Sequence, residues 1–173
     1  MILQIKHYCL RFGLLLTLGV VGVTTANVSL DAVKRSALAT YGAETGAMID
    51  QWIKMITKIR GLPDKDKLLY VNNFFNSRIK WIADIENWKE EDYWATPLET
   101  MARRRGDCED FSISKYITLV MAGMPDEKLR ITYVKARIDS ASGAKNQAHM
   151  VLAYYPKPNA EPMILDNMVK DIV

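Results

Sequence analysis

The sequence is poor in the residues that build disulfide frameworks and zinc sites, because its 173 residues include two cysteines and two histidines. If the N-terminal segment is removed on export, Cys108 and His149 become the single members of their residue types. A lone cysteine cannot form an intramolecular disulfide, and a site with one histidine and no cysteine pair is a poor zinc ligand set. A leftover thiol in an exported protein indicates intermolecular pairing or a reactive cysteine.

Long hydrophobic runs are also lacking. Residues 12–23 carry no charge but are fewer than the roughly 20 apolar residues that a bilayer-spanning helix needs. Basic residues precede this run and small residues follow it, as in a secretory signal peptide. We therefore predict a signal peptide over residues 1–26, cleaved after Ala26, and one domain over residues 27–173. The alternative is an uncleaved N-terminal anchor.

The chain carries little net charge once this segment is removed. Two of the 23 basic residues leave with it, so 21 face 20 acidic residues and the formal charge falls from +3 to +1. The one basic cluster, residues 103–105, suits the last turn of a helix, where cations interact favourably with the dipole. A cluster of this size does not indicate a nucleic-acid partner.

Apolar residues at helical spacing dominate the first half of the chain. They predict helices over Ser29–Ala39, over Met48–Ile59 and from about Asp64 to Ile79. Residues 96–99 read Thr-Pro-Leu-Glu, a capping box with proline at the first helical position, and predict a helix that ends at residues 105–106. A further helix over Phe111–Ala122 would place Cys108 at or just before its first turn.

The last third has the composition of strands. We predict strands over Leu129–Ile138, His149–Tyr155 and Pro162–Met168, with a polar loop over Asp139–Gln147 and a turn over Pro156–Glu161. Helices followed by an antiparallel sheet define an α+β fold.

Cys108 has the local setting of a nucleophile. The thiolate is the reactive form of cysteine, and the amides and dipole of a helix N-terminus favour it. A catalytic thiol also needs a base that is itself held by a third group. His149 is the one imidazole available for that role in residues 27–173.

Strand parity selects the third group. If Tyr155 pairs with Pro162 across the turn, His149 faces Met168 and lies one diagonal step from Asp166. The side chains of His149 and Asp166 then share one face of the hairpin. Asp166 could accept a hydrogen bond from one ring nitrogen and leave the other for Cys108.

Three acidic residues, Asp107, Glu109 and Asp110, surround the cysteine and would raise the pKa of its thiol. One interpretation is that they cap and complement the helix N-terminus. The other is that they bind a hard cation such as Ca²⁺, which prefers carboxylate and carbonyl oxygens. The spacing is not that of an EF-hand, and the residues alone leave both interpretations open.

Five ordered segments resemble the bacterial transglutaminase-like cysteine peptidases, in particular the LapG-type periplasmic proteases. The segments are Asp92–Glu99, Gly106–Phe111, Leu129–Val134, His149–Tyr155 and Leu165–Asn167. The resemblance covers nearly all of residues 27–173 and implies a papain/transglutaminase-like fold. It implies a catalytic triad of Cys108, His149 and Asp166. It also implies calcium dependence, with Asp107, Glu109 and Asp110 as ligands.

The resemblance extends to location and partners. It implies a periplasmic protein whose substrate is the N-terminal region of a very large surface adhesin, cut at a di-alanine site to release cells from a biofilm. It implies a second partner, the periplasmic domain of an inner-membrane cyclic-di-GMP receptor. Trp94 resembles a position near the catalytic cleft, where it would shape the acyl site; a core role is the alternative.

Two other functions use the same residues. A transglutaminase would transfer the acyl group to an amine instead of water, and a catalytically silent member would act as a binding module. The sequence stops at Val173, soon after Asp166, whereas relatives continue with further strand-forming sequence. We therefore expect a shortened C-terminus that leaves Asp166 poorly held or exposes a strand edge.

Overall fold

The computed structural model describes residues 29–140 and 143–173, and the predicted signal peptide over residues 1–26 lies outside them. Helices come first and the antiparallel sheet last, which confirms the predicted α+β fold. The helices are α1 (Leu30–Tyr41), α2 (Gly46–Ile59), α3 (Asp64–Arg78), α4 (Asp84–Asn87), α5 (Pro97–Arg103) and α6 (Cys108–Met121). The strands are β1 (Lys80–Trp81), β2 (Arg105–Gly106), β3 (Leu129–Ser140), β4 (Gly143–Tyr154) and β5 (Met163–Leu165). Short 3₁₀ turns occupy Ala43–Thr45 and Asp126–Lys128.

Helix α6 lies at the centre of the domain and packs against α3 on one side and β4 on the other. The apolar stripe of α2 is buried as the periodicity predicts. Trp52 fills the space between α2 and α6, and its indole nitrogen donates to the Thr118 hydroxyl over 2.9 Å. The indole therefore buries a large apolar surface while its one polar group keeps a partner.

The sheet has the order β3-β4-β5, with antiparallel pairing throughout. The predicted register is confirmed, since Leu152 pairs with Leu165 and Tyr154 with Met163. The inner half of β4, from His149 to Tyr154, is buried against α6, and its outer half is exposed.

Two boundaries were predicted wrongly in this region. Residues 139–147 are mostly strand, because β3 and β4 extend as a long hairpin beyond the buried part of the sheet. Cross-strand hydrogen bonds hold this extension, so its polar composition is not a sign of a loop. The last strand ends at Leu165, which leaves Asp166 in the connection that follows.

The segment before α6 is also more ordered than its composition suggests. Helix α5 has the predicted capping box, in which the Thr96 amide donates to Glu99 over 2.8 Å. It ends at Arg103, two residues earlier than predicted, because Arg104 adopts a left-handed conformation. Strand β2 then pairs in parallel with β1 and fixes the approach to Cys108. Among the described residues, no helix is long and apolar enough to cross a membrane.

Candidate active site

Cys108 is the first residue of α6 and follows the N-cap Asp107, as the sequence predicts. The end of β2 requires glycine, since a Cβ at Gly106 would lie 2.7 Å from both Cβ and Oδ2 of Asp110. The Asp110 carboxylate accepts hydrogen bonds from the amides of Ala95, over 2.8 Å, and Asp107, over 3.3 Å. Asp110 therefore ties the start of α6 to the segment before α5, which fixes the backbone around the thiol.

His149 and Asp166 form the hydrogen-bonded pair that strand parity predicts. The distance from His149 Nε2 to Asp166 Oδ1 is 2.8 Å, and His149 is buried. Because Asp166 engages Nε2, the other ring nitrogen, Nδ1, is the one available to a nucleophile.

Asp166 is held in place, contrary to expectation. Its carboxylate also accepts from the Met168 amide over 2.9 Å, and Asn76 of α3 donates to its carbonyl over 2.7 Å. Asn72 donates to the Lys170 carbonyl, and the Ile164 amide donates to the carbonyl of Val173. The final residues thus fold back over α3 and β5.

Cys108 and His149 line one cavity of about 650 Å³. The other lining residues are Trp81, Ala83, Asp107, Gln147, Ala148, Asn167 and Met168. A backbone hydrogen bond from Met150 reaches the Cys108 thiol and links the start of α6 to the buried half of β4. The thiol donates its own proton to Glu109 over 3.0 Å, rather than to the imidazole.

The electrostatics on the cysteine side oppose a thiolate. Burial first, and then the hydrogen bond and charge of Glu109, raise the pKa of Cys108 to about 12. The same burial and the neighbouring carboxylates raise the pKa of Asp107 to about 8. Burial also acts to raise the pKa of Glu109, but hydrogen bonds from Cys108 and Asp107 outweigh it and hold that pKa below its usual range. The cluster therefore has more negative charge than the protein compensates.

A carboxylate that the sequence reasoning missed lies at the centre of this cluster. Asp84, at the start of α4, has carboxylate oxygens within 4.8 Å of those of Asp92 and Glu109, and likewise of those of Asp107 and Asp110. Asp84 is buried and accepts from the Tyr93 amide over 2.6 Å. The acidic composition of residues 84–92 was the available signal, but nothing local distinguishes Asp84 from its neighbours.

The cluster fits a calcium ion. Ca²⁺ binds oxygens at 2.3–2.6 Å, so two ligands of one ion lie within about 5 Å of each other. One oxygen of Asp84 and one of Asp107 are buried without a hydrogen-bond partner among the described residues, as metal ligands would be. Asp110 fits less well as a direct ligand, because amides already occupy its two oxygens. The capping interpretation therefore fits Asp110, whereas Asp84 and Asp107 have free oxygens that could bind a cation.

Trp94 does not have the core role that is the alternative to shaping the acyl site. Its side chain is 52% exposed, and its indole nitrogen donates to Asp92 over 2.9 Å. Trp81, rather than Trp94, lines the cavity next to Cys108.

Helices packed on a small antiparallel sheet, with a cysteine at the start of the central helix, form a transglutaminase-like fold. The chain belongs to the bacterial transglutaminase-like cysteine proteinases, since the model of that family matches residues 51–173. It is therefore a member of a cysteine peptidase family, and the resemblance seen in the sequence is confirmed.

Solved structures of Legionella pneumophila LapG match both the fold and the sequence. The calcium-bound form is 38% identical to this chain, with a TM-score of 0.70, over 84% of this chain and 76% of LapG. The EGTA-treated form gives the same identity and TM-score over 84% of this chain and 74% of LapG. None of the curated proteins matches the chain significantly.

Proposed function

We propose that this protein is a calcium-dependent cysteine endopeptidase in which Cys108 is the nucleophile, His149 the general base and Asp166 the group that orients the imidazole. The observation that carries the proposal is the 2.8 Å bond between His149 Nε2 and Asp166 Oδ1 in the wall of the cavity that Cys108 also lines. Nucleophile, base and orienting carboxylate are the three parts that activation of a thiol needs.

The reaction follows from these roles. The Cys108 thiolate attacks the scissile carbonyl carbon, and the backbone amide of Cys108 at the helix start donates to the developing oxyanion. The carbon–nitrogen bond breaks as His149 gives its proton to the leaving amine, which leaves a thioester on Cys108. Water then attacks the thioester while His149 takes up its proton, and the product acid leaves with the thiol restored.

The proposed calcium ion would lie among the carboxylates beside Cys108. Asp84, Asp107 and Glu109 would hold the ion, with Asp92 at the outer edge of the cluster and Asp110 fixing the backbone beside it. A bound calcium ion would supply positive charge that offsets the repulsion between these carboxylates and a thiolate. Support comes from the two unpartnered buried oxygens and from the calcium-bound form of LapG.

The proposed substrate is the N-terminal region of a very large surface adhesin, cut at a di-alanine site in the periplasm to release cells from a biofilm. The proposed regulator is the periplasmic domain of an inner-membrane cyclic-di-GMP receptor. Family membership and the similarity to LapG support both proposals. The small side chains of Ala83 and Ala148 in the cavity wall are compatible with an extended peptide lying close to Cys108.

The test uses purified full chain, calcium and a purified adhesin fragment with one di-alanine site. We expect cleavage by the unaltered protein and a loss of at least about a thousandfold in Cys108→Ala, with circular dichroism unchanged. Cys108→Ser is the matched control, since it replaces the thiol with a hydroxyl of similar size that is a poorer nucleophile. Undiminished cleavage by Cys108→Ala would refute the role of the thiol. Incorporation of a labelled amine in place of hydrolysis would instead identify acyl transfer.

A further inference from the structure

Two large apolar side chains, Trp81 and Met168, line the cavity that Cys108 and His149 also line, and both remain half-exposed. Trp81 is 51% exposed and Met168 is 50% exposed. A single exposed apolar side chain is ordinary on a protein surface, but large ones that converge on one concave site indicate a binding surface. The described residues leave about half of each side chain uncovered, so a bound group has apolar surface to contact.

The two side chains reach the cavity from the two sides of the proposed catalytic pair. Trp81 lies on β1, and its parallel pairing with Gly106 on β2 places it beside the segment that leads into Cys108. Met168 follows the last strand, and its backbone amide donates to the Asp166 carboxylate over 2.9 Å. Trp81 is thus fixed to the cysteine side and Met168 to the imidazole side. A group that contacts both lies in the cavity beside the thiol.

The cavity is larger than a pair of alanine side chains requires. Its volume of about 650 Å³ lies in the range of sites that enclose a drug-sized ligand. An indole ring can bury roughly 150–250 Å², and a methyl group covers only a small part of that surface. Ala83 and Ala148 leave room for the main chain of a peptide, whereas Trp81 and Met168 offer surface to a larger side chain.

The chemistry of the two walls favours an aliphatic side chain. The thioether of Met168 is uncharged and only a weak hydrogen-bond acceptor, so it offers little to a polar group. The face of Trp81 could also bind a cation, and the Asp107 carboxylate lines the same cavity. The calcium ion proposed beside Asp107 would repel a cation held there. An aliphatic group therefore suits both walls, and the test must separate it from a cationic one.

We propose that Trp81 and Met168 form a specificity subsite that binds an aliphatic side chain of the peptide substrate, next to the scissile di-alanine. The inference rests on the proposed function and deepens it, because it gives the substrate a requirement beyond its two alanines. One methylene in an apolar pocket changes kcat/KM by about 10–200-fold. Neither residue takes part in proton transfer, and together they determine which peptides are held beside Cys108.

The first test measures how fast maleimides label Cys108 in the full chain, with Cys9→Ser to leave one thiol. The compact reagent is N-ethylmaleimide, the apolar one is N-cyclohexylmaleimide and the cationic one is N-(2-aminoethyl)maleimide. Each rate is divided by the rate of the same reagent with glutathione. Since all three react with the same thiolate, differences in the normalised rate report binding beside it. We expect the cyclohexyl reagent to label Cys108 at least about tenfold faster than the ethyl reagent.

Substitutions assign this preference to the two side chains. Trp81→Ala and Met168→Ala should each remove most of it, whereas Trp81→Phe and Met168→Leu keep an apolar wall and should retain it. Val169→Ala is the matched control, because Val169 follows Met168, is also exposed and does not line the cavity. If circular dichroism shows that Trp81→Ala does not fold, Met168→Ala decides the outcome.

The second test compares peptides with one di-alanine site that is flanked on both sides by leucine, alanine or lysine. We expect kcat/KM for the leucine peptide to exceed that for the alanine peptide at least about tenfold, and Met168→Ala to remove most of this difference. Labelling of Cys108 needs no peptidase activity. Failure of the unaltered protein to cleave any of the peptides would therefore count against the proposed function, while labelling would still test the subsite.

Four results would overturn the inference. They are equal normalised rates for the cyclohexyl and ethyl reagents, a faster rate for the cationic reagent than for the cyclohexyl one, and an unchanged preference in both alanine variants. The fourth is a loss of preference in Val169→Ala as large as that in Met168→Ala, which would assign the effect to the C-terminal segment as a whole.

Discussion

The two sides of the cavity are built differently. On the imidazole side, Asp166 accepts from His149 over 2.8 Å and from Met168 over 2.9 Å, and Asn76 holds its backbone. On the cysteine side, Asp84 and Asp107 each keep a buried oxygen without a partner. The first side is complete with protein groups alone, whereas the second has a surplus of negative charge. The hydrogen bonds of the proposed base are therefore already formed, while the proposed nucleophile lies beside a surplus of negative charge that the proposed calcium ion would offset.

The largest expected effect comes from a substitution on the imidazole side alone. Asp166→Asn keeps the shape but leaves His149 in the wrong tautomer, and we expect kcat to fall by about 10³–10⁴-fold. Calcium affinity, measured by titration calorimetry, should not change. Asp171→Asn makes the same substitution at an exposed position and should leave kcat unaltered. A large loss of calcium affinity in Asp166→Asn would mean that the two sides are not separable.

Removal of calcium or of one of its proposed ligands on the cysteine side should lower both stability and activity. An ion that binds only the folded state stabilises it. A chelator should therefore lower the free energy of unfolding by about 2.7 kcal/mol when calcium was present at 100 times its Kd.

Asp84→Asn should weaken calcium binding at least about tenfold, since it removes a charge from the centre of the cluster. Calorimetry and thermal unfolding measure these effects. Glu90→Gln, an exposed neighbour, should respond to the chelator as the unaltered protein does; a normal calcium affinity in Asp84→Asn would contradict the site.

A smaller expected effect is the pH dependence that the carboxylates of the cysteine side give to the stability of the protein. Burial and neighbouring carboxylates raise the pKa of Asp107 to about 8, and burial raises that of Asp110 to about 7. The calcium-free folded state therefore holds protons that the unfolded chain has released above about pH 4, and its stability falls as the pH rises from about 4 to 8. Calcium competes with these protons, so its gain in Tm should be larger near pH 8.5 than near pH 6. Equal gains at both values would contradict the assignment.

The smallest expected effect lies outside both sides. Thr96→Ala removes the N-cap of α5 and should cost about 1 kcal/mol in urea unfolding, without a change in kcat. Thr57→Ala is the matched control, because its hydroxyl lies on the exposed face of α2 and bonds within the same helix. A fall in calcium affinity in Thr96→Ala would extend the cysteine side to α5.

Local rules were sufficient wherever the interaction was local. The capping box of α5, the position of Cys108 at the start of α6 and the pairing of Leu152 with Leu165 follow from short spacing and parity. The polar outer hairpin was missed because its strands are held by each other's backbone instead of by a buried face. Composition predicts burial better than it predicts backbone pairing.

The same local rules predicted one part of the site and missed another. The placement of His149 beside Asp166 needed one assumption about register, and that register is confirmed. Asp84 was missed because it lies 23 residues before Asp107 in the sequence, and the parallel pairing of β1 with β2 brings the two segments together. No spacing rule links residues across such a connection.

The sequence by itself determined the order of helices and strands, the family, and the residues that face each other along one hairpin. Periodicity, capping and strand parity act over a few residues, so they can be recognised without the fold. Tertiary structure decided which carboxylates surround Cys108 and which residues hold Asp166. Those contacts join Asp84 to Asp107, and Asn76 to Asp166, from distant parts of the chain. Their energies depend on burial, which exists only after the helices have packed on the sheet.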